Sequence, residues 1–253
     1  MLHKGLWKFC VKQIEPYVTK FYGVLPARVD FLKELYGLPD EKCELLVMGA
    51  DDVFVNEASE PKIRDSIRKK YGIRADDFLI MTGGKIDAWK TQTLLLMKAV
   101  SNIPEEKVRL IVFGSVSDEL QDKVNTLVDG KKVQFIGWMS SKASYELFAS
   151  SDLVIFPGRH SVFWEQVAGQ GIPMIVKDWK GTHHVDLGGN VRFLRNDSVD
   201  EIKNNIEDLF THKMKYEQMK NVAENKGKKY FSYFEIAKKA IDFSEKKVGG
   251  RDL

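Results

Sequence analysis

Six short apolar runs alternate with helical patterns through the middle of the chain. The runs are FLIMT at 78, VRLIVFG at 108, KVQFIG at 132, DLVIFP at 152, PMIVK at 173 and VRFL at 191. The helical patterns lie at 90–101, 117–128, 141–150 and 163–171. Continuous apolar runs are typical of strands buried on both faces, and their alternation with helices is the pattern of a parallel sheet. The sequence therefore predicts an α/β fold with a doubly wound, Rossmann-like parallel sheet.

The composition is that of an ordinary globular protein. The chain has 253 residues, 43% of them hydrophobic, which is enough for one large domain with a substantial core. Lys and Arg number 39 against 36 Asp and Glu, and the two signs are mixed, so we expect no nucleic-acid partner. Cys10 and Cys43 lie far apart, without metal-ligand spacing, which favours a reducing, cytoplasmic setting.

No run approaches the roughly 18 consecutive apolar residues of a membrane-spanning helix, and the start of the chain lacks the pattern of a signal peptide. Peripheral membrane association stays open. We expect three parts: a partial N-terminal or linker segment at 1–50, the Rossmann-like domain at 51–228, and a C-terminal helix and tail at 229–253. The stretch 199–246 is helical by its pattern of apolar residues.

The first candidate site is TGGKIDAWKTQT at 82–93. Two glycines at the end of a strand let the backbone approach a ligand closely, and the helix expected to begin near Trp89 would present free N–H groups. Lys85 and Lys90 add two positive charges, a combination suited to a diphosphate. A plain turn with two solvated lysines is the alternative, because the segment lacks the GxGxxG spacing.

The second candidate site is FPGRHSVFWEQVAGQGIP at 156–173. Glu165 falls near the first turn of the helix, where a carboxylate can accept hydrogen bonds from the two hydroxyls of a ribose, or can simply complement the helix dipole. His160 and Ser161 offer donors or acceptors beside the same strand end, and Arg159 offers a contact to phosphate or to a sugar hydroxyl.

Two further segments follow predicted strands. WKGTHHVDLGGN at 179–190 carries His183, His184 and Asp186, but the spacing matches no metal-ligand motif, so we expect no metal site. In VQFIGWMSSKASYELF, Gly137 ends a strand, and a serine can cap the next helix. Backbone groups at this strand end can read the edge of a nucleobase, although a plain capped turn is equally consistent with the residues.

The order of these segments resembles the C-terminal, donor-binding half of GT-B glycosyltransferases of the group 1, or family 4, type, over about residues 20–245. Lys85 and Lys90 have the separation of the Arg and Lys that grip the donor diphosphate in that family. SSDLVIFPG matches the strand before its Glu-x7-Glu segment, and the second Glu of that segment corresponds to Glu165. The pair Gly171 and Pro173 matches the end of the same helix.

The resemblance implies transfer of a sugar from a nucleoside diphosphate sugar to a glycan or glycolipid acceptor, with retention of configuration and without a metal ion or other cofactor. It also implies catalytic roles for His160 and Glu165. The residues implied in donor binding are Gly84, Lys85, Lys90, Gly114, Gly137, Ser161 and Glu165.

The sequence departs from the family pattern at two places. Pro157 occupies the position of the first Glu, and the loop is shorter, so contact to the donor passes to His160, Ser161 or their backbone amides. MGADD at 48–52 resembles the segment after the interdomain linker, so we expect the N-terminal acceptor domain to be missing or supplied by a partner chain. A sugar-nucleotide epimerase using His160, His183 and His184, and a non-catalytic donor-binding subunit, remain alternatives.

Overall fold

A six-stranded parallel sheet forms the centre of the protein. The computed structural model describes the backbone of residues 2–248 and the side chains of residues 2–241. The strands are β3 (Phe78–Gly83), β4 (Val108–Phe113), β5 (Val133–Phe135), β6 (Leu153–Phe156), β7 (Met174–Lys177) and β8 (Val191–Leu194), after β1 (Phe21–Gly23) and β2 (Cys43–Leu45) near the N-terminus. All six predicted runs are strands, and the predicted Rossmann-like fold is confirmed.

Helices cover both faces of this sheet and also form part of the N-terminal segment. They are α1 (Lys8–Ile14), α2 (Pro26–Tyr36), α3 (Asp52–Ala58), α4 (Pro61–Lys70), α5 (Gln92–Ser101), α6 (Asp118–Leu127), α7 (Ser141–Ala149), α8 (Phe163–Gly169), α9 (Val199–Thr211), α10 (Lys213–Val222), α11 (Lys228–Tyr230) and α12 (Tyr233–Val248). Helices α5, α6, α9 and α10 pack on one face and α7 and α8 on the other.

The strands are buried on both faces because successive side chains point to opposite sides. Ile80 and Leu110 belong to the core under α5 and α9, whereas Leu79, Met81 and Ile111 belong to the core under α7 and α8. An apolar residue is therefore needed at every position of a central strand. This requirement explains why the strands were recognisable as continuous apolar runs.

The strand order places a ligand crevice at one point of the sheet. The order is β5-β4-β3-β6-β7-β8, and every pair is parallel. The connections run outward in one direction from β3 and in the other from β6, so the direction of winding reverses between these two strands. Ligands of doubly wound sheets bind at the carboxyl ends of the strands at such a switch point. The loops that follow β3 and β6 meet there.

Residues 2–45 form a smaller unit beside the main sheet. β1 and β2 pair in parallel as a two-stranded sheet, and α2 connects them over a core of Tyr36, Leu38 and Cys43. Leu6 and Phe9 leave 58% and 63% of their surface exposed. The expected partial N-terminal segment and the three predicted boundaries stay predictions.

The structure differs from the sequence-based expectations in three helices. α3 and α4, at 52–70, were not predicted, and α5 begins at Gln92 rather than near Trp89. Part of the predicted C-terminal tail, residues 249–253, lies outside the described residues. Among the described helices, none is both long and apolar enough to cross a membrane. The expected cytoplasmic setting stays a prediction, and peripheral membrane association stays open.

Candidate functional site

Gly84, Gly114 and Gly137 lie next to one another at the carboxyl ends of β3, β4 and β5. The Gly84 N–H donates to the Phe113 carbonyl at 3.0 Å, and the Gly114 N–H donates to the Gly137 carbonyl at 2.8 Å. Gly114 has a φ of 130°, and a Cβ there would overlap the Gly84 carbonyl oxygen. The N–H groups of Gly84 and Gly114 therefore already donate to carbonyls of the neighbouring strand ends. At these positions glycine provides close backbone packing rather than free donors for a ligand.

Lys85 and Lys90 lie on the loop between this sheet edge and α5. Lys85 is exposed and lies 3.5 Å from Asp87, while Lys90 is half-buried. Asp87 accepts the Trp89 N–H at 2.9 Å, and its carbonyl accepts the Lys90 N–H, so the chain turns once more before α5 begins. This turn accounts for the late start of the helix. No side chain caps α5 at Thr91.

Arg159 brings a third cation to the same crevice from the opposite loop. Its guanidinium lies over the ring of Trp89, 4.6 Å from the ring centroid, in a cation–π contact. A shallow cleft beneath this contact is lined by Gly84, Lys85, Lys90 and Ser161, among others. The structure thus brings these predicted residues together across the switch point of the sheet.

Glu165 is completely buried, and two histidines bond to the same carboxylate oxygen. His160 Nε2 lies 2.7 Å and His184 Nε2 lies 2.8 Å from Glu165 Oε1. The Glu165 side chain is 0% exposed and that of His184 is 2% exposed. The Glu165 Oε2 and the His184 Nδ1 are both buried without a hydrogen-bond partner. The pairing with His184 was missed in the sequence, because the two residues lie 19 positions apart.

The pKa of Glu165 reflects two opposing effects. Burial raises the pKa of this carboxyl, but the hydrogen bonds from His160 and His184 outweigh burial, so the pKa lies below its usual value. Glu165 is therefore a carboxylate at neutral pH. Because an ionised carboxylate only accepts hydrogen bonds, each histidine donates from Nε2–H.

The loop that carries His184 is shaped by its own polar residues. Asp186 accepts the N–H groups of Gly188 and Gly189, and Asn190 bonds to the backbone of Val185 and Leu187. These contacts fold the segment into a turn. His183 points elsewhere, because its Nε2 lies 2.6 Å from Asp178. Of the polar residues in this loop, only His184 contacts Glu165.

His160, Glu165 and His184 are also the types of residue that bind transition metals. Their ligand atoms lie within 4.8 Å of one another. However, the two nitrogens lie at hydrogen-bond distance from the same oxygen, and His184 Nδ1 lacks the outer partner that a metal-bound histidine normally has. This geometry favours a hydrogen-bonded cluster. The expectation that no metal takes part stays a prediction.

The predicted nucleobase contact involves the turn that follows β5. Gly137 has a φ of 76°, and the next residue, Trp138, is 74% exposed. The Ser140 side chain accepts the Ala143 N–H at 3.3 Å and caps α7, as expected. The turn is therefore a capped helix start with an exposed aromatic ring beside it. Neither observation tests the contact with a base.

A more voluminous cavity lies away from this site. A cavity of about 520 Å³ lies between the segment Leu45–Val47 and helices α11 and α12, and its lining is mainly apolar. We place the functional site at the switch point instead. Lys85, Lys90 and Arg159 converge there, at the carboxyl ends of the strands, where doubly wound sheets bind their ligands.

The model of the family described as glycosyl transferases group 1 matches residues 63–226, more than half of the chain. The chain belongs to this family. The matched segment contains both loops of the switch point and the cluster around Glu165. The resemblance inferred from the sequence is therefore confirmed at the level of the family.

Individual relatives are more distant. Mannosylfructose-phosphate synthase of Agrobacterium fabrum is 22% identical over 235 residues, 87% of this chain and 51% of the synthase. The chain thus spans about half the length of that relative. A glycosyltransferase of Rickettsia africae superposes with a TM-score of 0.78 at 15% identity, over 98% of this chain and 68% of that protein. Anabaena Alr3699/HepE in complex with UDP gives 0.75 at 17% identity, over 96% and 68%. These structures establish the shared fold.

Proposed function

We propose that this chain binds the nucleoside diphosphate sugar donor of a glycosyltransferase at the switch point of its sheet. The observation that carries the proposal is the convergence of Lys85, Lys90 and Arg159 around one crevice. A diphosphate has the charge and the number of oxygens to engage several cations at once. The first amides of α5, which no side chain caps, add further donors of the kind that bind phosphate.

In this proposal the cations stabilise the leaving diphosphate as the bond to the sugar breaks. Fixed positive groups act where negative charge develops in the transition state, so no metal ion is required for that task. Anabaena Alr3699/HepE, which has the same fold, is in complex with UDP, and this supports the binding of a nucleotide. Retention of configuration and a glycan or glycolipid acceptor belong to the proposal through the family resemblance.

We assign acceptor binding to a second domain, in the same polypeptide or in another one. Two observations support this. The sheet of β1 and β2 has only two strands of three residues, whereas parallel sheets normally have more strands and helices on both faces. Leu6, Trp7 and Phe9 also leave much of their surface exposed beside it. A second Rossmann-like domain would extend this sheet and cover these side chains.

Calorimetric titration of the chain with UDP, GDP and their sugars, in the presence of EDTA, tests the proposal. We expect micromolar to millimolar binding of one nucleoside diphosphate, and a loss of at least 10-fold in affinity in Lys85→Ala and in Lys90→Ala. Removal of one charge-assisted hydrogen bond costs about 1.5–3 kcal/mol, which corresponds to this loss. Absence of binding to every nucleotide tested would reject the donor-binding proposal.

Lys131→Ala is the matched control. Lys131 is as exposed as Lys85 but precedes β5, at the opposite end of the strands from the crevice. We expect it to bind like the unchanged chain at the same ionic strength. An equal loss in Lys131→Ala would indicate a general effect of net charge rather than a local site.

A sugar-nucleotide epimerase is the second candidate, and one observation favours it. His160 is held by a buried carboxylate at the edge of the crevice, which is an arrangement suited to proton transfer. Product analysis separates the two functions. An epimerase converts a bound nucleotide sugar into its epimer without an acceptor, whereas a transferase leaves it unchanged or releases the free nucleoside diphosphate.

A further inference from the structure

Arg159 is held at the crevice by an aromatic ring rather than by a carboxylate. Lys85 lies 3.5 Å from Asp87, whereas Arg159 forms no ion pair or hydrogen bond with the residues that the structure describes. Its guanidinium lies over the indole ring of Trp89 instead, 4.6 Å from the centroid. An aromatic ring attracts a cation without neutralising its charge, and it offers no lone pair. The N–H donors of Arg159 therefore stay available to a ligand.

The backbone beside Arg159 packs against two other segments. The loop at 157–162 joins β6 to α8, and the Gly158 carbonyl accepts the Trp179 Nε1–H at 3.4 Å. A Cβ on Gly158 would lie 3.2 Å from Gln92 Oε1, so the start of α5 is also close. These contacts fix where the Arg159 side chain leaves the loop, but not its direction. A long side chain on an exposed loop has many rotamers, and the contact with Trp89 selects among them.

Trp89 is itself fixed by the turn that delays the start of α5. Its N–H donates to the Asp87 carboxylate at 2.9 Å, and the Lys90 N–H donates to the Asp87 carbonyl. The indole is 66% exposed, so it is not part of the core. Replacement of such a side chain changes the stability of the fold little. The position of this ring matters instead for the guanidinium that lies on it.

The ring also acts against a repulsion between cations. Lys85, Lys90 and Arg159 line one cleft, and like charges that converge repel one another. The face of an indole carries partial negative charge, so it attracts the guanidinium. Without this attraction, the Arg159 side chain would be free to turn into solvent, away from the two lysines. Trp89 thus keeps a third cation beside them while no anion is bound.

We propose that Trp89 is a positioning residue, which holds Arg159 at the crevice so that the guanidinium is already ordered when a diphosphate binds. Binding to a side chain that is already ordered costs less conformational entropy. Trp89 acts through Arg159, since Arg159 lines the cleft and Trp89 does not. The inference rests on the proposed function, because it takes the ligand of the crevice to be a nucleoside diphosphate.

Two substitutions of Trp89 test this role, by calorimetric titration with UDP and GDP. Trp89→Phe keeps an aromatic face beneath the guanidinium, whereas Trp89→Leu keeps only apolar bulk. For the nucleotide that the unchanged chain binds, we expect Trp89→Phe to stay within about 2-fold in affinity and Trp89→Leu to lose about 5-fold, the scale of one exposed cation–π contact. Equal affinities of the two variants would overturn the proposal.

Trp7→Leu is the matched control. It removes an indole that is 49% exposed, from the unit at 2–45 rather than from the crevice. We expect the affinity of Trp7→Leu to equal that of the unchanged chain. An equal loss in Trp7→Leu and Trp89→Leu would show that the effect is not local, and would reject the positioning role.

A double variant shows whether Trp89 acts through Arg159. We expect Arg159→Met to lose at least about 10-fold in affinity, because a charge-assisted hydrogen bond is removed. The addition of Trp89→Leu to Arg159→Met should weaken binding no further. A merely structural role of Trp89 would give the same loss in both backgrounds, and that result would overturn the proposal. Both side chains are exposed, so the urea midpoints of all variants should match.

NMR of the free protein separates a failure of this inference from a failure of the proposed function. A proton above an aromatic ring is shifted upfield, so the Arg159 Nε–H signal in ¹H–¹⁵N spectra should move downfield in Trp89→Leu. No change in that signal would reject the contact and the positioning role, even if a nucleotide binds. The expected change together with no binding of UDP or GDP would retain the contact but reject the proposed function, and the positioning role with it.

Discussion

At the scale of single residues, Gly114 shows what the glycines of this site do. Its N–H donates a hydrogen bond to the Gly137 carbonyl, so it contributes no donor to a ligand. What only glycine allows is its φ of 130° together with the close approach of the Gly84 carbonyl. This contact joins the loops that follow β3 and β4.

Gly114→Ala should destabilise the protein by about 3 kcal/mol, because backbone strain and overlap with the Gly84 carbonyl act together. Gly130→Ala is the control. Gly130 also has a positive φ, 72°, but nothing lies within 4 Å of the added Cβ, so only about 1 kcal/mol is expected. Urea unfolding monitored by circular dichroism measures both. Equal costs would show that strain alone, and not the close approach, requires glycine at position 114.

Glu165 marks the limit of what could be predicted for the site. Its residue type and place on α8 were visible in the sequence, but its partner was not. The contact with His184 exists only because β6 and β7 are neighbours, which brings the loops after them together. The carboxylate that the resemblance assigns to donor binding also accepts hydrogen bonds from two imidazoles. Such a contact depends on side-chain direction, which the spacing of residues does not determine.

At the scale of secondary structure, the helices α9 and α10 and the strand β8 are joined by one carboxylate. Asp208 lies 2.7 Å from Lys215 Nζ and 2.9 Å from Arg192. The hydrogen bond from Lys215, followed by that from Arg192, lowers the pKa of Asp208 to about 2. The group is therefore ionised throughout the neutral range, and it links an edge strand to two helices.

Because the pKa of Asp208 is lower in the folded protein than its ordinary value of 3.8, this group contributes stability that is fully present above pH 3.8. The contribution is lost as the pH falls through the folded pKa of about 2. Asp208→Asn should thus reduce the free energy of unfolding by about 1 kcal/mol or less at pH 7, given the partial exposure of the site. The difference from the unchanged chain should shrink between pH 4 and about pH 2.

Urea unfolding at pH 7, 4 and 3 measures this change. Glu207→Gln is the control, because Glu207 lies next to Asp208 but its ion pair with Lys203 is long, at 3.8 Å. We expect it to have little effect at any of these pH values. A difference for Asp208→Asn that does not decrease toward low pH would show that the ion pairs do not stabilise the fold.

The elements that were predicted and those that were missed differ in their surroundings. The six strands of the main sheet were recognisable because burial on both faces requires an apolar residue at every position. In α4, by contrast, Arg64 and Arg68 bond to Asp152 and to the backbone around Ser150. Its apolar face is short, so most of its attachment is polar and was not visible as periodicity.

At the scale of the whole molecule, the two parts of the chain differ in the size of their sheets and in how far helices cover them. The main domain has a six-stranded sheet with helices on both faces, whereas the unit at 2–45 has two short parallel strands and one covering helix. The exposed apolar residues are concentrated in this unit, on and around α1: Leu2, Leu6, Trp7, Phe9, Ile14 and Tyr17. Contiguous apolar surface of this kind marks an interface.

The same surface leads to a prediction about the chain alone. Leu6 and Phe9 are mostly exposed, so the double substitution Leu6→Lys, Phe9→Lys should change the free energy of unfolding by less than about 1 kcal/mol. It should also leave nucleotide affinity unchanged.

Because uncovered apolar surface promotes association, the average mass of the double variant in sedimentation velocity at high concentration should fall toward that of the monomer. Val53→Lys, at an equally exposed residue of α3 away from the surface around α1, should leave the mass unchanged. A large loss of stability in the double variant would instead mean that these side chains belong to the core of the unit at 2–45 rather than to an interface.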